Sequence, residues 1–173
     1  MADSVLLLLD IDGVINAFGK PGWRAAPRKT RIGEHTIRWA PRLVFELKAL
    51  QRAGLIEMWW SSTWCGDEFD LKVLEARLGL HLPRAFTERP PHKTWGDMKA
   101  EAALDALNAG RRVAWADDAE VRGAWYLFPR FVAEERSGNI LPVMPHPNHG
   151  LQPEDVRSIE GFARASHQTG MQD

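Results

Sequence analysis

Two carboxylates one residue apart follow an apolar run near the start of the chain: Leu6-Leu7-Leu8-Leu9, then Asp10-Ile11-Asp12-Gly13. Alternate side chains of an extended backbone share a face, so Asp10 and Asp12 would point to the same side. Neighbouring carboxylates repel unless a cation or a shared proton offsets their charge. The pair therefore suits a divalent metal beside a nucleophile and an acid/base. The plainer reading is a turn, for which Asp-Gly is a common dipeptide. A second apolar run, Leu55 to Trp60, stops at Ser61-Ser62-Thr63-Trp64. A hydroxyl in that place can donate to a phosphate oxygen, or it can cap a turn. A third run, Val113-Ala114-Trp115-Ala116, stops at Asp117-Asp118. Lys93 and Lys99 lie between the second and third runs; a lone lysine is ordinarily a solvated surface residue.

Strands that are apolar throughout are covered on both faces, the habit of parallel sheets. Open α/β sheets bind ligands beyond the carboxyl ends of such strands. Helical segments separate the runs. Pro41 to Ala53 places Leu43, Val44, Leu47 and Leu50 at helical spacing, with Gly54 to cap it. Further helices are predicted over Asp70 to Leu80, Met98 to Leu107, Glu120 to Ala133 with an interruption at Pro129, and Pro153 to Ala165. Ile140 to Met144 reads as a fourth strand. The alternation predicts an α/β fold, a three-layer Rossmann-like domain with a mostly parallel sheet. Each strand-end group alone has a dull explanation; together they would meet along one edge of that sheet.

The expected organisation is one domain over 1–166, with a frayed tail at 167–173 and an irregular insertion at 14–41. Within the insertion, a strand pattern over Thr30 to Trp39 breaks at Gly33-Glu34, which predicts a hairpin or flap. From Lys20 to Arg42 the only acid is Glu34, against Lys20, Arg24, Arg28, Lys29, Arg31, Arg38 and Arg42. Such a flap either offers positive charge to an anionic substrate or is a solvated basic loop. His146 and His149, after the fourth strand, read as loop residues.

The chain has 173 residues, 45% hydrophobic and 26% charged, which suits a soluble domain with a real core. A net charge of −1 argues against bulk electrostatic binding to nucleic acid or membrane, though not against a local basic patch. The single cysteine, Cys65, excludes an intrachain disulfide and a cysteine-based zinc cluster and suggests a reducing, cytoplasmic setting. Val5 to Leu9 is too short for a signal or membrane segment.

In their order along the chain these motifs resemble those of the haloacid dehalogenase-like (HAD) superfamily of phosphohydrolases. Asp10-Ile11-Asp12-Gly13-Val14 resembles its first motif, DxDG[TV]. The Ser61–Thr63 cluster resembles the second, Lys93 the third, and Asp117-Asp118 the acidic fourth. Within the superfamily the chain is most similar to the small capless phosphatase domains of RNA-repair proteins. Trp60-Ser61-Ser62-Thr63-Trp64 fits their W-x-[ST]-T-W segment, and Ile140 to Pro147 with Gly150-Leu151 fits their last strand and turn.

The resemblance implies a phosphomonoesterase that works through an aspartyl-phosphate. Asp10 would attack phosphorus, and Asp12 would protonate the leaving oxygen and then activate water. Ser62 and Lys93 would hold the phosphoryl group, with Ser61 and Lys99 as alternatives for those two places. Mg²⁺ would be bound by Asp10, the main-chain carbonyl of Asp12, Asp117 and Asp118. Ser61, Thr63 and Trp64 are substrate-binding candidates; Trp64 either stacks on a base or is a core or rim residue. About forty residues separate the first two motifs, too few for a large cap. An open site beside a basic flap favours a nucleic-acid end or nucleotide phosphate as substrate. The alternatives are a small phosphate ester, a phosphotransferase with an alcohol acceptor, and a catalytically silent binding domain. A receiver-type phosphoacceptor module fits poorly, because there the acidic pair precedes the acceptor aspartate and here the order is reversed.

Overall fold

The computed structural model describes residues 4–24 and 26–169. Its centre is a four-stranded, all-parallel sheet. The strands are β1 (Val5–Leu9), β4 (Ile56–Trp60), β5 (Val113–Ala116) and β6 (Ile140–Val143), in the order β4-β1-β5-β6. The pairing registers Leu9 with both Trp60 and Ala116, so β1, β4 and β5 end level with one another. From β1 the chain runs out to β4 on one side and then crosses to β5 on the other. Such a reversal leaves a crevice beyond the strand ends.

Alternation along β1 separates two cores. Val5, Leu7 and Leu9 join the cluster under α1 (Pro41–Arg52), α2 (Glu68–Leu78) and α6 (Pro153–Thr169). Leu6 and Leu8 join the cluster under α3 (Trp95–Asn108), α4 (Glu120–Leu127) and α5 (Pro129–Arg136). The result is the expected three-layer α/β domain. β6 carries Pro142, which has no N–H to give; its place at the sheet edge makes that tolerable.

The insertion after β1 holds an antiparallel hairpin, β2 (Arg28–Ile32) and β3 (His35–Trp39), turning at Gly33-Glu34 as the sequence pattern predicts. Ile32, Ile37 and Trp39 are buried on its inner face, while Lys29, Arg31 and Thr36 are exposed on the other. Among the described residues, no larger cap stands over the sheet. A further stitch ties the insertion to the loop after β6: the N–H groups of Phe18 and Gly19 donate to the carbonyls of Pro147 and Asn148 at 3.0 Å each.

Boundaries move where capping residues decide them. Thr94 and Asp97 form a capping box, so α3 begins at Trp95, a turn earlier than its apolar run suggests. Asp67 caps α2, and Gly79 closes it in the left-handed conformation. Phe128 is extended between α4 and α5, giving the interruption expected at Pro129. α6 continues through Thr169. The remainder of the tail expected to fray, 170–173, lies outside the described residues.

Candidate active site

Asp10 is the first residue past β1 and Asp117 the first past β5, so the level strand ends bring them together. Both are buried, and with the partly exposed Asp118 they offer three carboxylate oxygens within 4.8 Å of one another. The Lys99 ammonium lies between two of them. It donates to Asp10 Oδ2 at 2.5 Å and to Asp117 Oδ2 at 2.7 Å, and it is itself buried.

The other oxygens are held by backbone. Asp10 Oδ1 accepts the N–H of Ile11 at 2.7 Å. Asp117 Oδ1 accepts the N–H groups of Ala119 and Glu120, at 2.9 and 2.7 Å, at the start of α4. A helix N-terminus favours a carboxylate there. Gly13, at φ 72°, passes so close to Asp118 that a β-carbon would overlap its carboxylate, which is why a residue without a side chain follows the DxD pair.

Burial sets the electrostatics. It pushes the Asp10 carboxyl up to about 7; Lys99 opposes this, Asp117 adds to it, and hydrogen bonds from Lys99 and Ser62 lower it again. Burial draws Lys99 downward, yet Asp10 and Asp117 outweigh it, so the ammonium ends above its ordinary value and stays charged. Asp118 is raised, by burial and then by Asp117. The cluster is thus a concentration of buried negative charge that one lysine only partly offsets.

Asp12 is not one of these three carboxylates, but its charge adds to the raising of Asp118. Its Oδ1 accepts Nδ2–H of Asn16 at 2.7 Å, and its Oδ2 accepts the indole N–H of Trp64 at 2.8 Å. Trp64 is buried rather than offered as a platform, and the His35 ring from the hairpin lies 5.0 Å from it, centroid to centroid. The hydroxyl segment follows β4. Ser61 continues the pairing by donating its N–H to Leu9 O at 2.9 Å. Its hydroxyl is buried without a protein partner. Ser62 is buried and caps a short 3₁₀ turn, Thr63–Gly66, accepting the Trp64 N–H at 3.5 Å. Thr63 is exposed.

The structure separates the two lysines. Lys93 ion-pairs Glu101 at 2.6 Å, so the lysine that meets the carboxylates is Lys99 and not Lys93, the residue favoured from sequence. The distinguishing signal is the start of α3. With Thr94 as its cap, Lys99 lies a turn inside the helix, one helical turn before buried Ala103 and two before Ala106, and so on the stripe that faces the sheet. His146 and His149 stand in the exposed loop after β6, with His149 Nδ1 3.0 Å from the carbonyl of Lys20.

A DxDG turn, a hydroxyl segment, a buried lysine and an acidic pair, ordered around one parallel sheet with no large cap, define a capless HAD-like domain. Residues 6–156 match the family model described as the HAD domain in Swiss Army Knife RNA repair proteins. The chain belongs to that family, and at family level it is a HAD-like phosphohydrolase. No curated protein and no solved structure matches it. No described helix is long and apolar enough to cross a membrane.

Proposed function

We propose that this protein is a Mg²⁺-dependent phosphomonoesterase that works through an aspartyl-phosphate on Asp10 and acts on the terminal phosphates of nucleic acids or on nucleotides. The observation that carries the reading is the convergence of Asp10, Asp117 and Asp118 within 4.8 Å, with the Lys99 ammonium against two of them. An all-carboxylate oxygen set fits a hard divalent cation; Asp10, Asp117 and Asp118 would hold it. When bound, Mg²⁺ supplies the positive charge that lets a phosphate approach such an acidic pocket.

The chain's own groups divide the chemistry. A carboxylate oxygen of Asp10 attacks phosphorus in line with the ester oxygen. As the phosphorus–ester bond breaks, the leaving oxygen takes a proton from Asp12. Asp12 then removes a proton from water as that water attacks phosphorus, and the bond to Asp10 breaks to release inorganic phosphate. Lys99 orients Asp10 and balances its charge. Ser62, with Ser61 as the alternative, supplies a hydroxyl to the phosphoryl oxygens. The substrate class is supported by the RNA-repair description of the family, by the exposed Lys29 and Arg31 on the hairpin, and by the absence of a large cap among the described residues.

The test is phosphate release under Mg²⁺, with and without a chelator, from 3′- and 5′-phosphorylated oligonucleotides, mononucleotides and sugar phosphates. Turnover is expected on nucleic-acid ends or nucleotides, with loss on chelation and in a folded Asp10→Asn variant. Near-normal activity of Asp10→Asn would overturn the nucleophile. Preference for sugar phosphates would overturn the substrate class. Inactivity on every ester would leave a binding domain.

A further inference from the structure

Both oxygens of Asp12 are occupied, and both partners lean on the β2–β3 hairpin. Asn16 gives Nδ2–H to Asp12 Oδ1 at 2.7 Å, while its own Oδ1 accepts the backbone N–H of Arg38 in β3 at 2.8 Å. Trp64 gives its indole N–H to Asp12 Oδ2 at 2.8 Å, and its ring meets His35, the first residue of β3. Arg38 fastens the strand further. Its guanidinium donates to the carbonyls of Phe18 and Gly19 at 2.8 and 2.7 Å, and its carbonyl accepts the N–H of Ala17 at 2.8 Å.

A carboxyl on a free side chain can rotate away from the oxygen it must protonate. One gripped on both sides has its plane fixed, and proton transfer depends on that alignment. We infer that Trp64 and Asn16 are positioning residues for Asp12, and that the hairpin, which supplies neither the nucleophile nor the acid/base, sets the aim of the acid through them. This rests on the reading of Asp12 as the acid that protonates the leaving oxygen. It gives Trp64 a task different from stacking on a substrate base: its N–H is spent on Asp12, and its ring is buried, with His35 tilted against it.

The proposal has a signature that loss of packing alone would not produce. A poor leaving group, such as the sugar oxygen of a nucleotide, needs the acid as the phosphorus–oxygen bond breaks. An acidic phenol leaves without it. Trp64→Phe keeps an aromatic side chain at this buried position and removes the N–H donor, with some loss of packing. Under Mg²⁺ it is expected to lower kcat/KM on a phosphorylated oligonucleotide about tenfold, the scale of one lost hydrogen bond. On 2,4-dinitrophenyl phosphate the loss of kcat/KM should stay within about twofold; this ratio ends with formation of the aspartyl-phosphate, so the water step that Asp12 serves for both esters does not enter it.

Equal losses of kcat/KM on the two esters would overturn the proposal. Asp12→Asn runs beside it as the reference. If Asp12→Asn discriminates between the esters and Trp64→Phe does not, the positioning role falls and the acid assignment stands. If Asp12→Asn does not discriminate, both fall. Should Trp64→Phe fail to fold, His35→Ala decides, because it changes an exposed residue. The same selectivity on a smaller scale supports the proposal, and its absence overturns it.

Discussion

Lys99 and Lys93 are six positions apart and have unlike fates. Lys99 is buried between Asp10 and Asp117, whereas Lys93 is partly exposed against Glu101. Removing one partner of a buried ion pair leaves charge uncompensated, at a cost of about 3–5 kcal/mol. Lys99→Met is therefore expected to lower the melting temperature markedly in chelator, with partial recovery on adding Mg²⁺, and to remove turnover. Lys93→Ala is expected to change stability by less than about 1 kcal/mol, as partly exposed pairs do, and to keep activity. Paired thermal melts and rate assays check both. A second residue-scale expectation concerns Cys65, whose thiol burial pushes up to about 11 from 9.0. The thiolate is the reactive form, and a raised pKa means less of it at any pH below that value. At pH 8 the folded protein should be alkylated by iodoacetamide at least about a hundredfold more slowly than the denatured chain. Equal rates would show that the segment after β4 opens readily.

At the scale of elements, the capping box of α3 sets where Lys99 falls. Thr94 accepts the N–H of Asp97 at 3.1 Å, and Asp97 accepts the N–H of Thr94 at 2.7 Å. Thr94→Ala is expected to destabilise the protein by about 1 kcal/mol, measured by denaturant midpoint. It should also weaken activity more than an equally destabilising change in α5, because the first turns of α3 carry the lysine. The same helix shows how far the sequence could be read. Asp10, Asp117 and Asp118 were legible because apolar strands end on them, and parallel strands align their ends. Lys99 stands only as the alternative to Lys93 because motif order alone does not separate two lysines near the start of one helix; the spacing to buried Ala103 and Ala106 is what sets Lys99 against the sheet. The partnership of Trp64 with Asp12 left no local pattern, since a hydrogen bond between distant segments depends on how a loop and a hairpin pack. The hairpin itself was visible, from its alternation and its Gly33-Glu34 break.

At the scale of the whole molecule, a net charge of −1 hides an uneven distribution. Acids gather beyond the strand ends, while the outer face of the hairpin shows Lys29 and Arg31 to solvent. If a nucleic-acid end is the substrate, these two residues should matter more to long substrates than to short ones. Lys29→Ala with Arg31→Ala is expected to raise KM for phosphorylated oligonucleotides several-fold and to flatten its dependence on salt, while leaving KM for mononucleotides nearly unchanged. Parallel effects on oligonucleotides and mononucleotides would show that a polymer does not run over this face.

The order β4-β1-β5-β6 also has a consequence for biosynthesis. β1 and β4 emerge early from the ribosome and can pair, but the opposite flank of β1 waits for β5, where Leu6 must find Val113. Until then a fully apolar strand keeps one bare edge, the kind of surface on which nascent chains stick to each other. Pairings so remote along the chain form slowly. Soluble yield should therefore respond to translation tempo and chaperone supply across the stretch that ends at Ala116, more than to changes downstream of β6.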